Sequence, residues 1–257
     1  MKSLAFLIAL AAPLSVQAQD TGALVRFVTC PVYRDTDAGR KSGCWLAQQR
    51  ETGKRYDVSL SPYKPDWNYA VLVEGRVSDA SPAPCGDTVL DPVRTSRLYD
   101  VHCTRHMLPA EGYPGRRYKL HGRYINPLSV PRKVPPGPYS DRTFTAYFEF
   151  GNDFLIYQYD DYLIDKATTW IRAAKPKKLI VTGFAATDPV EVSGMTLAEP
   201  ADLAQQRAET IAETMRRLVP DVEVETRWKT GAKVTDDPDT DTIPGQSRRR
   251  VEIHAVF

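Results

Sequence analysis

The sequence predicts an α+β protein in two parts: a small disulfide-stapled all-β barrel, then a β-α-β-α-β-β unit. Three observations predict it. Apolar residues alternate with period two in the first hundred positions, as along Tyr69, Val71, Val73 and Val77. From Phe144 onward, short alternating runs exchange with three- and four-residue apolar steps, the mark of amphipathic helices. All four cysteines, Cys30, Cys44, Cys85 and Cys103, lie in the first half.

The first residues bear on compartment. Lys2 supplies a basic start, and Leu4 to Leu14 is an apolar run too short to anchor stably across a bilayer. Val16-Gln17-Ala18 then offers small residues where signal peptidase reads, so residues 1–18 are expected to be a cleavable secretory signal. No cysteine follows the apolar run to carry a lipid, and no later run is long enough to span a membrane. The expected location is the periplasm. In such an oxidising compartment the four cysteines read as disulfides. Sequence-local pairing is expected, Cys30 with Cys44 and Cys85 with Cys103, each bridge stabilising by about 3 kcal/mol in the chain-entropy model. Cys103 and His106 lie three apart, but no second Cys-x-x-Cys or His pair accompanies them, so neither metal nor cofactor is expected.

A length of 257 residues allows one large or two small domains. Hydrophobic residues at 42% and charged residues at 26% are an ordinary globular mix. A net charge of +2 makes no demand for nucleic acid or an acidic membrane as partner.

Residues 19–103 form the barrel part. Leu24, Arg26 and Val28 alternate with Val25 and Phe27. Cys44-Trp45-Leu46 and Tyr56 to Leu60 flank a polar turn at Glu51-Thr52-Gly53-Lys54, which reads as a hairpin. Along 69–77 the apolar residues fall on one face, with Glu74 and Arg76 on the other. Gly75 suggests a bulge or bend, and a fifth strand is placed near Thr88–Tyr99. Four or five strands with two staples resemble a small closed barrel of the OB-fold kind. Trp45, Tyr56, Tyr63 and Trp67 either offer a face for sugars or single-stranded nucleic acid or fill a small core. Export removes nucleic acid as a routine partner.

Residues 104–142 are rich in proline, which excludes regular helix and favours extended backbone. The second half of this stretch reads as a semi-rigid linker. Arg116, Arg117, Lys119, Arg123, Arg132 and Lys133 either touch an anionic polymer or are solvated.

Residues 143–257 carry the alternating grammar. Phe144, Ala146, Phe148 and Phe150 make a half-buried strand; Ile156, Tyr159, Leu163, Ala167 and Trp170 recur at helical steps. Leu179-Ile180-Val181 is a short buried strand ending at Gly183. A second helix opens near Glu199-Pro200, proline being favoured at a first helical position, and buries Leu203, Ala208, Ile211, Met215 and Leu218. Val222, Val224 and Trp228 make a third strand, and Val251, Ile253, Ala255 and Phe257 a fourth. Strands joined through a helix lie parallel, which gives a mixed sheet with two helices on one face.

Certain residues of this part resemble the C-terminal domain of the outer-membrane protein A family. They are Phe148-x-Phe150-Gly-x-Asp153, Gly183, Leu203-x-x-x-Arg207-Ala208 and, most specifically, Arg249-Arg250-Val251-Glu252-Ile253. The resemblance covers about 143–257. It implies non-catalytic, non-covalent binding of peptidoglycan through the diaminopimelate of its stem peptide, with Arg207, Asp188, Arg249, Arg250 and Thr187 as the residues concerned.

Diaminopimelate presents carboxylates and an ammonium, so a binder needs a fixed arginine and an acid; the planar guanidinium donates two parallel hydrogen bonds to a carboxylate. On a helical wheel Arg207 lies about 40° from Leu203, inside the apolar stripe. Such a charge is either paired internally or left for an anionic ligand.

The chain departs from the family pattern at three polar positions. Phe184-Ala185-Ala186 follows Gly183, so direct alignment puts Ala186 where the family has its ligand-binding aspartate. Thr187-Asp188 follows two residues later; Asp188 either fills the role through an inserted turn or the acid is lost. Pro200 and Arg248 stand where the family has asparagines. The acidic run Asp236 to Asp241 lacks the glycine-enabled turn of a calcium loop, and no nucleophile–base or paired-carboxylate arrangement marks an enzyme. Two functions follow: a periplasmic peptidoglycan-binding protein, or an envelope protein-interaction module that no longer binds the wall.

Overall fold

The structure is a computed structural model, and it describes residues 21–37, 43–80, 83–116, 130–155, 161–235 and 242–257. The expected signal over 1–18, the central linker with Arg117, Lys119 and Arg123, Ile156 and Tyr159, and the acidic run Asp236 to Asp241 lie outside the described residues.

The expected architecture needs correction. Among the described residues the molecule is mostly β, with 37% strand and 16% helix, three helices and several sheets, so the expected α+β class does not hold. The first half is not a closed barrel either. Its strands are β1 (Leu24–Thr29), β2 (Val32–Arg34), β3 (Cys44–Gln48), β4 (Arg55–Asp57), β5 (Tyr69–Val77), β6 (Thr88–His102) and β7 (Met107–Leu108). They form one sheet in the order β1-β5-β6-β4-β3-β2-β7, which has two ends and so does not close. The long β6 links its two parts: Thr88 and Val89 pair with β4, while Leu90 to His102 pair with β5. The pairing shifts register between Gly75 and Val77, where a Cβ on Gly75 would sit 3.0 Å from the Pro92 carbonyl.

The second half comprises β8 (Arg142–Tyr147), α1 (Asp161–Ala174), β9 (Lys178–Phe184), β10 (Val190–Val192), β11 (Met195–Leu197), α2 (Leu203–Leu218), β12 (Glu223–Lys229), α3 (Pro244–Ser247) and β13 (Arg250–Val256). Four of these strands make a sheet in the order β12-β9-β13-β8. Strand β12 runs parallel to β9, and β13 runs antiparallel to both β9 and β8. One core lies between this sheet and α1 and α2, with Leu163, Ala167, Ile171, Ile211 and Met215 packed on Leu179, Val181, Val251 and Ile253. Gly183 does not end its strand; it lets α2 close in, since a Cβ there would overlap the Ala204 carbonyl.

Two features were not expected from sequence. The segment after β9 folds into the β10–β11 hairpin, turned by Ser193 and Gly194, both at positive φ. This hairpin then packs on the first half. Val192 and Leu197 share a core with Val28, Ala70, Leu72 and Leu98, and the Val28 N–H donates to Ser193 Oγ at 3.2 Å. The face of β5 carrying Ala70, Leu72 and Glu74 is therefore covered by the second half, although the alternation read it as the polar side.

The disulfide pairing also needs correction. The bridges are Cys30–Cys103 and Cys44–Cys85. Strands β1 and β6 both run antiparallel to β5 and flank it, so their C-terminal ends lie at the same end of the sheet. Cys30 and Cys103 follow those two ends and meet there. Cys44 opens β3 and reaches the loop before β6. Neighbours in space are separated in sequence, which a local-pairing rule misses.

Two of the basic residues within the proline-rich stretch are engaged. Arg116 Nε lies 2.9 Å from the buried Asp57, and Arg132 Nε lies 2.9 Å from Asp165.

Candidate functional site

Arg207 projects from the buried face of α2, between Ala204 and Ala208 on one side and Ile211 on the other. It is 0% exposed. A guanidinium has five N–H donors, and each is used here. Nε donates to the Asn152 carbonyl at 2.8 Å. Nη1 donates to the Phe184 carbonyl and to Glu199 Oε2, both at 2.9 Å. Nη2 donates to the Glu149 carbonyl at 3.2 Å and to Glu199 Oε1 at 2.6 Å. The Phe148 ring lies under the guanidinium, 5.1 Å from Cζ to its centroid.

Glu199 is equally enclosed. Besides the two-pronged contact with Arg207, its Oε1 accepts from the Gly151 N–H at 3.0 Å and its Oε2 from the Ala186 N–H at 2.7 Å. The chain thus supplies its own carboxylate at the position where a bound carboxylate would meet the fork of Arg207. In sequence Glu199-Pro200 reads only as a helix opening, and Glu199 is not among the expected site residues. The available signal was the demand itself: an arginine on an apolar stripe needs an acid, and Glu199 stands one loop away.

Burial alone would raise the Glu199 pKa; the hydrogen bonds and charge of Arg207, then Arg249 and the Ala186 N–H, outweigh it and hold the carboxyl below its ordinary value of 4.5. Burial lowers Arg207 in turn, against the pull of Glu199. An arginine lowered in this way remains charged near neutrality, so Glu199 sets the acid behaviour. Its folded pKa lies below its unfolded one, so its stabilisation is complete above about pH 4.5 and is lost as the pH falls through the folded value. Urea unfolding between pH 7 and 3 is expected to show a steep acid limb that is shallower in Glu199→Gln; equal slopes would exclude this pair as the cause.

The other predicted residues lie around this pair in internal contacts. Arg249 is buried; Nη2 donates to Glu74 Oε2 at 2.6 Å and Nε to the Phe148 carbonyl at 3.2 Å. Glu74 belongs to β5, so this ion pair bridges the two halves. Burial by itself would lower the Arg249 pKa, but the carboxylates of Glu74, Glu199 and Glu149 raise it. Gly245 of α3 lies so close that a Cβ would overlap Glu74 Oε1. A second bridge joins Arg94 Nη1 of β6 to Glu149 Oε1 at 3.0 Å, both buried. Arg250 pairs with Glu252 (2.8 Å), donates to the Ser247 carbonyl (2.7 Å) and lies 4.1 Å over the Phe184 ring. Asp188 is 67% exposed at its side chain and pairs with Arg248 at 3.2 Å. Thr187 Oγ1 accepts the Gly231 N–H at 2.8 Å. The structure therefore gathers Arg207 and Arg249 into one buried network with Glu199 and Glu74, and leaves Asp188 with a different arginine at the surface.

The aromatic residues of the first half divide. Tyr56 is in the core. Trp45, Trp67 and Tyr33 pack on one another edge to face, with centroids 5.2 to 5.8 Å apart. The hydroxyls of Tyr63 and Tyr99 lie 3.0 Å apart. Cys103 is consumed in a disulfide, so the Cys103–His106 spacing holds no thiolate for a metal.

No protein-family model matches the chain, and no curated protein matches it. The two disulfides fit an exported, oxidising setting. Among the described residues no helix is long and apolar enough to cross a membrane.

Proposed function

We propose that this protein is a non-catalytic interaction module of the periplasmic cell envelope, in which the arginines that would hold a cell-wall stem peptide serve the protein's own structure. One observation carries this reading: all five donors of Arg207 are used internally and its fork is filled by Glu199. A diaminopimelate carboxylate entering there must displace a carboxylate that also holds two backbone N–H groups. Losing that partner strands buried charge and costs several kcal/mol, more than a single new charge-assisted contact returns. Asp188, the residue assigned to the ligand ammonium, is instead paired with Arg248.

Co-sedimentation with purified sacculi tests it. The protein is expected to stay in the supernatant like an unrelated periplasmic control, while affinity capture with the full chain from envelope extracts recovers a protein partner. Pelleting that a free diaminopimelate stem peptide competes away would restore wall binding and overturn this function.

A further inference from the structure

A pocket of about 200 Å³ lies at the seam between the halves. Leu24 and Val25 of β1, Ala186, and Val234, Ile243 and Pro244 line it. Glu74, Arg26, Arg248 and Arg249 also line it. Neither Arg207 nor Glu199 does, so it is separate from the buried pair. Among the described residues that line it the charge is unbalanced, with three guanidinium groups around one carboxylate.

Two of the three cations are not fully spent. Arg249 is committed to Glu74 and the Phe148 carbonyl. Arg26 Nε sits 3.1 Å from Glu74 Oε1, but that N–H makes no aligned hydrogen bond. Burial lowers the Arg26 pKa, and although Glu74 opposes this, the charges of Arg249 and Arg248 lower it further. Arg248 donates to the Ala232 carbonyl at 2.8 Å, and its one carboxylate is Asp188, which is largely in water. At the mouth, Leu24 and Val234 are 45% and 56% exposed. Apolar walls with a cationic rim suit a group that is aliphatic at one end and anionic at the other.

Size narrows the class. Pockets that enclose drug-sized ligands run to roughly 300–1,000 Å³, so this one takes little more than a single amino-acid residue. We propose that the seam pocket captures the C-terminal residue of a partner polypeptide, its aliphatic side chain between Leu24 and Ile243 and its free carboxylate at Arg26 and Arg248. Capture of a chain terminus by fixed donors is an established mode of peptide recognition. This deepens the interaction-module reading and rests on it.

N-acetyl-leucine titrated into the isotope-labelled full chain tests the pocket apart from any natural partner. Amide shifts are expected at 24–26, 186 and 243–249, with N-acetyl-leucinamide at least about tenfold weaker, as the loss of a charge-assisted contact implies. Arg26→Gln should weaken the acid and leave the amide unchanged. Arg26 contributes to a packed seam, so Val234→Asp on the exposed rim gives a second reading: it should weaken the acid, whereas Val234→Asn should not. Equal binding of acid and amide, or shifts elsewhere, would overturn the pocket. Tighter binding of hexanoate than of N-acetyl-leucine would transfer it to fatty acids and overturn the polypeptide assignment. Partner capture that survives Val234→Asp would leave the interaction module standing without this site.

Discussion

Replacing Glu199 with leucine is expected to destabilise the protein by about 3–5 kcal/mol, the cost of stranding a buried charge whose partner has been removed. The cause is local and specific. Arg207 is wholly enclosed and directs two of its five donors at this carboxylate, at 2.6 and 2.9 Å. No water reaches it to compensate. Urea unfolding of the full chain measures the loss. The Arg207→Met/Glu199→Leu double variant should recover part of it, because no charge is then left alone. The remainder belongs to the Gly151 and Ala186 N–H groups, which Glu199 also holds. A double variant no more stable than the single one would show that the charge pair is not what the single variant loses.

Removing either disulfide is expected to cost about 4 kcal/mol in the chain-entropy model, since both close long loops. Cys30–Cys103 spans 73 residues and Cys44–Cys85 spans 41. Sequence-local pairing would have closed shorter loops and cost less. Variants with both members of one bridge changed to serine, compared by thermal unfolding under oxidising conditions, test the magnitude. Digestion without reduction tests the connectivity directly: a fragment linking the region of Cys30 to that of Cys103 is expected. Fragments joining Cys30 to Cys44 would contradict the fold.

Much of the local structure could be read from the sequence, because local structure follows local rules. The alternation over Tyr69–Val77 is β5, and the steps from Leu203 to Leu218 are α2. The fold class could not be read in the same way. The hairpin at 190–197 is only three residues on each side, too short for periodicity to declare. A polar-looking strand face gives no sign that Glu74 will be buried by Arg249, 175 positions further along the chain. The site was half legible. That Arg207 needs a partner follows from its place on the helix; which acid supplies it depends on how a loop folds back, and no spacing rule encodes that. Ala186, standing where an acid was sought, donates its backbone N–H to the acid that is present.

The seam also has a temporal side. Glu74 meets Arg249 across 175 positions, and Arg94 meets Glu149 across 55. A chain that emerges from its N-terminus first has its seven-stranded sheet in hand long before β13 arrives. Until then Glu74 lacks its strongest partner, although the hairpin at 190–197 can already cover Leu72. Completion of the last strand is thus a checkpoint: a chain truncated before Arg249 keeps unmatched charge and leaves bare the apolar residues that Val251 and Ile253 would cover, features by which chaperones and proteases sort finished molecules from unfinished ones. Cutting the molecule at its proline-rich stretch would leave the same charge unmatched, so its two halves mature together.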